Sequence, residues 1–326
     1  MTASGTSEDR HTLPLALVGS TASGKTDAAV RVAQTLGAEI VSVDSATVYR
    51  GMDVGTAKPD QAERAEVPHH LLDLVEPGEP FSVAQFQQLG RAAISEITKH
   101  GAVPLLVGGS GLYYRALVDE LEFPGTSPSI RGSLETEARI LGSDEIFRRL
   151  AAIDVEAARR MDPRNVRRTV RALEVMALTG RPFSSFSSAW DRYPPGAVRA
   201  AGVMLPRSIL HRRIEERAAR MMSGLVNETR RLVERGHEPF IIASQTIGYA
   251  ESVAYLDGSM TEDEALTTFI RRTKTLARRQ LAWFRRDPRI RWFTAGAEGA
   301  ASLVDELIAY FAGRPVTTAT ATAATP

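Results

Sequence analysis

Apolar positions along this chain recur with two different periods, and the alternation between those periods predicts the fold. Leu15, Leu17 and Val18 form a short apolar run that breaks at Gly19, which predicts a buried strand. Ala28–Leu36 then reads as a helix stopped by Gly37. Glu39–Val43, rich in β-branched residues, predicts a second strand with Asp44 at its C-terminal end. Between Phe81 and His100 the period becomes helical, with Val83, Phe86, Leu89, Ala93 and Ile97 on one face and Ser82 as the N-cap. Val103–Val107 is a third buried strand, and it closes on Gly108-Gly109-Ser110-Gly111. Strands alternating with helices imply an α/β fold with a parallel sheet.

From Glu122 to Pro195 the strand signals stop. Residues 122–196 therefore read as a mostly helical insertion subdomain between two parts of the core, 13–121 and 197–313. Inside the insertion, Asp162-Pro163 predicts a helix start, with Val166, Val170, Leu173 and Ala177 facing inward. Val198–Leu205 returns the chain to the sheet, and Leu210–Arg235 is a long helix. Thr261–Glu264 is a capping box that opens another helix, with Leu266, Phe269, Ile270, Ala277, Leu281 and Phe284 inward. It stops at Asp287-Pro288, and Arg291–Phe293 predicts a last short strand. Residues 1–12 are polar, and the tail 314–326 is low in complexity; both predict disorder.

Composition narrows the partners. A net charge of +1 leaves affinity for a polyanion to local patches. The chain has no cysteine, which excludes disulfides and cysteine-ligated metal sites and suits a reducing cytoplasm. No apolar run reaches the length of a membrane span, and the N-terminus lacks a signal-peptide core, so a cytoplasmic protein is expected.

The candidate chemistry begins at Gly19-Ser20-Thr21-Ala22-Ser23-Gly24-Lys25-Thr26, which matches G-x-x-x-x-G-K-[ST] at every fixed position. Gly19 and Gly24 allow the backbone to turn so that its N–H groups converge. A helix N-terminus adds partial positive charge. Lys25 supplies a full charge to phosphate oxygens, and the Thr26 hydroxyl is placed for Mg²⁺. Asp44 falls at the same sheet edge, either as a turn cap or as a functional carboxylate. The glycine-rich turn around Ser110 is either a tight turn or a second phosphate contact. His69-His70 has no third ligand at a suitable spacing and reads as structural.

Two basic surfaces stand out on the neutral chain. Arg164, Arg167, Arg168 and Arg171 fall on one helical face with no interleaved acid. Arg271, Arg272, Lys274, Arg278, Arg279, Arg285 and Arg286 follow the last capping box. Arg217 has a simpler reading as a local ion pair with Glu215 or Glu216. Charge gathered in this way suits a polyanion such as RNA.

These motifs together resemble the tRNA dimethylallyltransferases. The likeness rests on GSTASGKT (19–26), VDSATVYRGMDVGTAKP (43–59), PHHLLD (68–73), LVGGSGLYYRAL (106–117), RALEV (171–175), RIEER (213–217), IGYAE (247–251) and ARRQLAWFRR (277–286). Ser110 stands where many members have threonine, and the hydroxyl survives. The zinc finger of eukaryotic members is missing. The resemblance implies a P-loop NTPase-like sheet flanked by helices, a helical insertion and C-terminal helices. It implies transfer of a prenyl group from dimethylallyl diphosphate to N6 of adenosine 37, beside the anticodon of a tRNA, with Mg²⁺ as cofactor. Asp44 would be the base. Lys25, Ser110, Arg217 and the loop 19–26 would hold the departing diphosphate. The tRNA would contact Asp44, Ser45, Ala46, Thr47, Ser110, Arg131, Arg167, Arg168, Arg171, Gln245, Gly248, Tyr249, Arg278 and Arg279. A monomer is the default. Prenyl transfer to a free adenine nucleotide, a P-loop nucleotide kinase and an RNA-binding protein with a structural P-loop are the competing readings.

Overall fold

The computed structural model describes residues 13–187, 190, 192–238 and 246–316. The terminal segments expected to be disordered lie outside these residues, apart from 314–316, and so does Gln245. The described residues divide into two compact units, one ending at Val118 and resuming at Pro195, the other spanning Asp119–Pro194.

The first unit holds one six-stranded sheet: β1 (Leu15–Gly19), β2 (Ala38–Ser42), β3 (His69–His70), β4 (Val103–Gly108), β5 (Arg199–Met204) and β6 (Ile290–Thr294). The order is β3-β2-β4-β1-β5-β6, and every pairing is parallel. A parallel sheet is covered on its faces, so its central strands are apolar throughout rather than alternating. β1 is buried at every position. Around it, α1 (Lys25–Leu36) packs on β1, β2 and β4, and α3 (Val83–Lys99) packs on β2 and β4. Ser82 caps α3 in a reciprocal box with Gln85. The buried positions of α3 are Phe86, Gly90, Ala93 and Ile97, while Leu89, read as inward, is exposed. Gly90 takes the inward place because Leu117 occupies the space a side chain there would fill.

β3 carried no apolar signal in the sequence, and polar bonds hold it instead. Glu39 is the hub: His70 Nε2 and His100 Nε2 each reach one of its carboxylate oxygens at 2.7 Å. Burial pushes the Glu39 carboxyl up, but the two histidine bonds outweigh it and leave the group below its usual range. His69 bonds the Val67 carbonyl through Nδ1 at 2.8 Å. The histidine pair thus fastens an edge strand.

Also in the first unit are α2 (Gln61–Glu66), α4 (Gly111–Val118), α9 (Arg207–Glu234), α10 (Tyr249–Leu256), α11 (Glu262–Phe284) and α12 (Val304–Phe311). Met52, Met222, Leu225, Tyr249 and Phe269 form a second core where the loop after β2 meets α9, α10 and α11.

The second unit is helical: α5 (Pro128–Leu141), α6 (Ser143–Ile153), α7 (Val155–Arg159) and α8 (Val166–Thr179) around Leu134, Ile146, Leu150, Val170 and Leu173. α8 starts later than Asp162-Pro163 predicts. Asp162 instead accepts the Arg164 N–H in a local turn, and Asn165 caps the helix by accepting from Arg168 N. Arg164 therefore lies outside the helix, and Ala177 is exposed. The basic face also has an acid. Glu174, fully buried, accepts from Ser127 N, Arg131 and Arg171 at 2.7–2.8 Å. Burial pushes its carboxyl up, and the two arginines and the Ser127 N–H hold it below the usual range.

Candidate active site

Because all six strands are parallel, the ends of β1, β2 and β4 open on the same edge, where open α/β sheets bind ligands. β1 runs into the loop Ser20–Gly24. Ala22 has φ 61° and Gly24 has φ 82°, so left-handed residues alternate along it. Such alternation turns successive N–H groups toward one point and makes an anion nest. Ala22 tolerates a conformation that non-glycine residues seldom adopt, at a cost of roughly 1–2 kcal/mol. The Ser23 hydroxyl is buried with no hydrogen-bond partner among the described residues. Lys25 donates to the Ser20 carbonyl at 3.1 Å, and Thr26 follows it in the first turn of α1. Thr21 N donates to Gln280 Oε1, from α11, at 2.8 Å.

Asp44 follows β2 and accepts the Ala46 N–H at 2.9 Å, closing a tight turn. Burial raises its pKa, opposed by that N–H and by the charges of Lys25 and Arg217. Burial lowers the pKa of Lys25 to about 8; Asp44 opposes the shift and Arg217 adds to it. At Gly108 a side chain would strike the Val43 carbonyl at 2.3 Å, so glycine lets β4 close on the chain just before Asp44. Ser110 N donates to that same carbonyl at 3.1 Å. This brings Ser110, at the start of α4, beside the Asp44 turn.

Arg217 forms no ion pair with Glu215 or Glu216 on α9, and its Nε donates to the Met221 Sδ at 3.3 Å. Glu215 binds Lys274 at 2.5 Å and Glu216 reaches Arg212 at 3.8 Å. Arg217 instead lies in the fields of Asp44 and Asp27, and burial is the main influence pulling its pKa down. It lines a cavity of about 880 Å³ together with Lys25, Thr26, Arg213 and Arg220. Two smaller cavities, of about 80 and 90 Å³, share the walls Thr21, Asp44, Thr56, Arg217 and Gln280. Lys25, Asp44 and Arg217 therefore meet in the wall of the cavity of about 90 Å³. Among the described residues no three His, Asp or Glu side chains gather into a metal cluster.

The loop Ser45–Pro59 is braced from far along the chain. Glu228 on α9 accepts the N–H groups of Asp53, Val54 and Gly55 at 2.8–3.2 Å, and the Tyr249 hydroxyl donates to it at 2.5 Å. Lys58 is buried and donates to the Tyr49 carbonyl, Asp53 and Asp73 at 2.5–2.7 Å. Arg64 holds the other Asp73 oxygen at 2.8 Å. The GMDVGTAKP and PHHLLD motifs are thus one hydrogen-bonded structure.

The residues expected to touch RNA separate by exposure. Ser45, Arg167, Arg168, Arg278 and Arg279 are exposed, and Ala46 and Ser110 are half-buried. Thr47 is buried, with its hydroxyl 3.0 Å from that of Ser42, while Gly248 and Tyr249 are buried against α9 and α11. Arg131 and Arg171 are bound to Glu174, and Arg171 donates also to the Pro124 and Gly125 carbonyls. For these five residues the structure supplies partners or packing within the protein. Gln280 and Glu228 went unnoticed in the sequence. Gln280 had one signal, as an uncharged amide in the basic run ARRQLAWFRR; Glu228, 175 residues from the loop it holds, had none.

The family described as IPP transferase matches residues 47–287, and the one described as isopentenyl transferase matches residues 14–74. A tRNA dimethylallyltransferase from Streptomyces coelicolor is 47% identical over 305 residues, covering 93% of this chain and 96% of its own. The crystal structure of a tRNA isopentenylpyrophosphate transferase from Bacillus halodurans matches at 38% identity and TM-score 0.67, with 93% and 96% of the two chains covered. A eukaryotic dimethylallyltransferase acting on tRNA shares the fold at TM-score 0.76 and 21% identity, over 94% and 81% of the chains. With this identity across nearly its whole length, and with its glycine-rich loop 19–26, Asp44 turn and Ser110 turn at one sheet edge, the chain belongs to the IPP transferase family.

Proposed function

We propose that the protein transfers a dimethylallyl group from dimethylallyl diphosphate to N6 of adenosine 37 in the anticodon loop of tRNA. The observation that carries this reading is the meeting of Lys25, Asp44 and Arg217 in the wall of one cavity, which Thr21 and Thr26 of the glycine-rich loop also line. The loop 19–26 would hold the diphosphate through its N–H groups and Lys25. The adenine must leave its stack to reach Asp44. As N6 bonds to C1 of the prenyl group, the C1–O bond breaks and diphosphate leaves. Asp44 accepts the proton released from the amine. Lys25, Ser110, Arg217 and the loop N–H groups stabilise the charge developing on the leaving group.

Mg²⁺ fits this donor set. Thr26 would hold it with oxygens of the diphosphate, its hydroxyl standing at the position of G-x-x-x-x-G-K-[ST] that serves as a Mg²⁺ ligand. When bound it neutralises charge on the leaving group. The exposed Arg167, Arg168, Arg278 and Arg279 would meet tRNA phosphates. A monomer is the state proposed, and the tRNA acceptor supports a cytoplasmic location.

The test is mass spectrometry of nucleosides from unmodified tRNA incubated with protein, Mg²⁺ and dimethylallyl diphosphate. Prenylated adenosine is expected, and Asp44→Ala should lower kcat by roughly 10²–10⁴. Prenylated AMP without prenylated tRNA would move the acceptor to a free nucleotide. Near-normal turnover in Asp44→Ala would remove Asp44 from the chemistry.

A further inference from the structure

We infer that Gln280 is a positioning residue for the diphosphate cradle, held in place by the absence of a side chain at Gly109. This rests on the reading of residues 19–26 as the donor site. Gln280 comes from α11, 259 residues along the chain from its partner, yet its Oε1 accepts the Thr21 N–H at 2.8 Å. Thr21 is the third residue of the loop 19–26, and its orientation sets where the neighbouring N–H groups point. The other end of the amide is placed just as closely. A Cβ built on Gly109 would meet Gln280 Nε2 at 2.4 Å and the Gly19 carbonyl at 3.4 Å. The amide therefore occupies the gap between the two glycine-rich turns, one carrying the nest and the other carrying Ser110. It also lines both smaller cavities, in each case beside Asp44 and Arg217.

Amide chemistry suits this place. A neutral acceptor fixes the Thr21 N–H without bringing negative charge to a site built for an anion, while the amide N–H₂ lies against Gly109. A carboxylate could accept the same N–H, but it would repel diphosphate. A leucine or methionine of similar length would leave the N–H without this partner. α11 also carries Arg278 and Arg279 on its exposed face, so the helix that would meet tRNA phosphates also holds the nest.

Gly109 supplies an independent test. Its φ is not in the left-handed region, and the nearest clash is the mobile end of a side chain. Gly109→Ala should therefore fold and displace the Gln280 amide. Wild-type protein is first titrated with dimethylallyl diphosphate and Mg²⁺; absence of binding there overturns the donor site and this inference with it. Given wild-type binding, steady-state kinetics follow on Gln280→Ala, Gly109→Ala, the double variant and Gln280→Glu. Gln280→Ala is expected to raise KM for the donor about three- to tenfold, with KM for tRNA unchanged. Gly109→Ala should match it, and the double variant should be no worse than either, because both act through the same amide. Gln280→Glu should bind the donor more weakly than Gln280→Ala. A donor KM within twofold of wild type in Gln280→Ala would overturn the inference. So would multiplying effects in the double variant, or restoration of donor KM by Gln280→Glu, which would leave Gln280 as a structural acceptor alone.

Discussion

Lys25 and Asp44 show at the residue level how the same surroundings push two opposite charges toward neutrality. Burial lowers the Lys25 ammonium to about 8 and raises the Asp44 carboxyl; each charge partly restores the other, and Arg217 favours the carboxylate while disfavouring the ammonium. The consequence appears in the free enzyme, whose ionisations govern kcat/KM. Donor capture needs charged Lys25, so kcat/KM for dimethylallyl diphosphate should fall as pH rises through about 8, by up to tenfold per unit. Proton acceptance needs ionised Asp44, so its raised pKa gives a limb on the acid side, above the ordinary carboxylate range. A pH series of initial rates, run with both substrates dilute, measures both limbs. The donor's own ionisation also titrates on the acid side, so the residual activity of Asp44→Asn identifies the Asp44 limb by losing it. A profile that stays flat above about pH 8 would show that Lys25 is not a titrating donor contact.

At the scale of elements, the loop after β2 owes its shape to helices far along the chain. Glu228 takes three consecutive N–H groups, and Tyr249 donates to the same carboxylate while its ring fills the space beside Gly55. Burial and the Glu228 charge both raise the Tyr249 pKa, which keeps the hydroxyl protonated and donating. Tyr249→Phe should therefore cost about 1 kcal/mol of stability, read as a lower midpoint in denaturant, and leave tRNA affinity within twofold. Weaker tRNA binding with an unchanged midpoint would instead place the hydroxyl on the RNA. The same contrast explains what the sequence could reveal. β1, β2, β4, the P-loop and the box at Ser82 depend on neighbours a few residues away, so local pattern exposes them. Asp44 and Ser110 were legible because strand ends in a parallel sheet share an edge. Glu228, Gln280 and Glu174 each bind a partner 43 or more residues distant, and no local period records such a contact. The start of α8 escaped for a different reason: Asp162 is a capping residue that caps a turn instead of a helix.

At the scale of the whole molecule, a net charge of +1 leaves little long-range attraction for RNA, so affinity must come from exposed arginines placed where acids do not cancel them. The structure narrows that set. In the second unit Arg171 and Arg131 are bound to Glu174, which leaves Arg167 and Arg168 on the exposed face of α8. On α11, Arg272 is paired with buried Glu251 and Lys274 with Glu215, whereas Arg278 and Arg279 are exposed and form no ion pair among the described residues. If both pairs meet the same tRNA, each phosphate left without its arginine should flatten the dependence of log affinity on log salt by about 0.7–0.9. Arg167→Ala with Arg168→Ala, and separately Arg278→Ala with Arg279→Ala, should each reduce the slope by roughly one to two. The fourfold variant should show the sum of the two reductions, because the sites lie in different units and share no partner. Donor KM should not change in any of them, since none lines the cavities around Lys25 and Asp44. Filter binding of an anticodon stem-loop across a salt series measures all three slopes. An unchanged slope in either pair removes that helix from the RNA surface. A fourfold variant no flatter than one pair would mean that the two units do not grip one tRNA together.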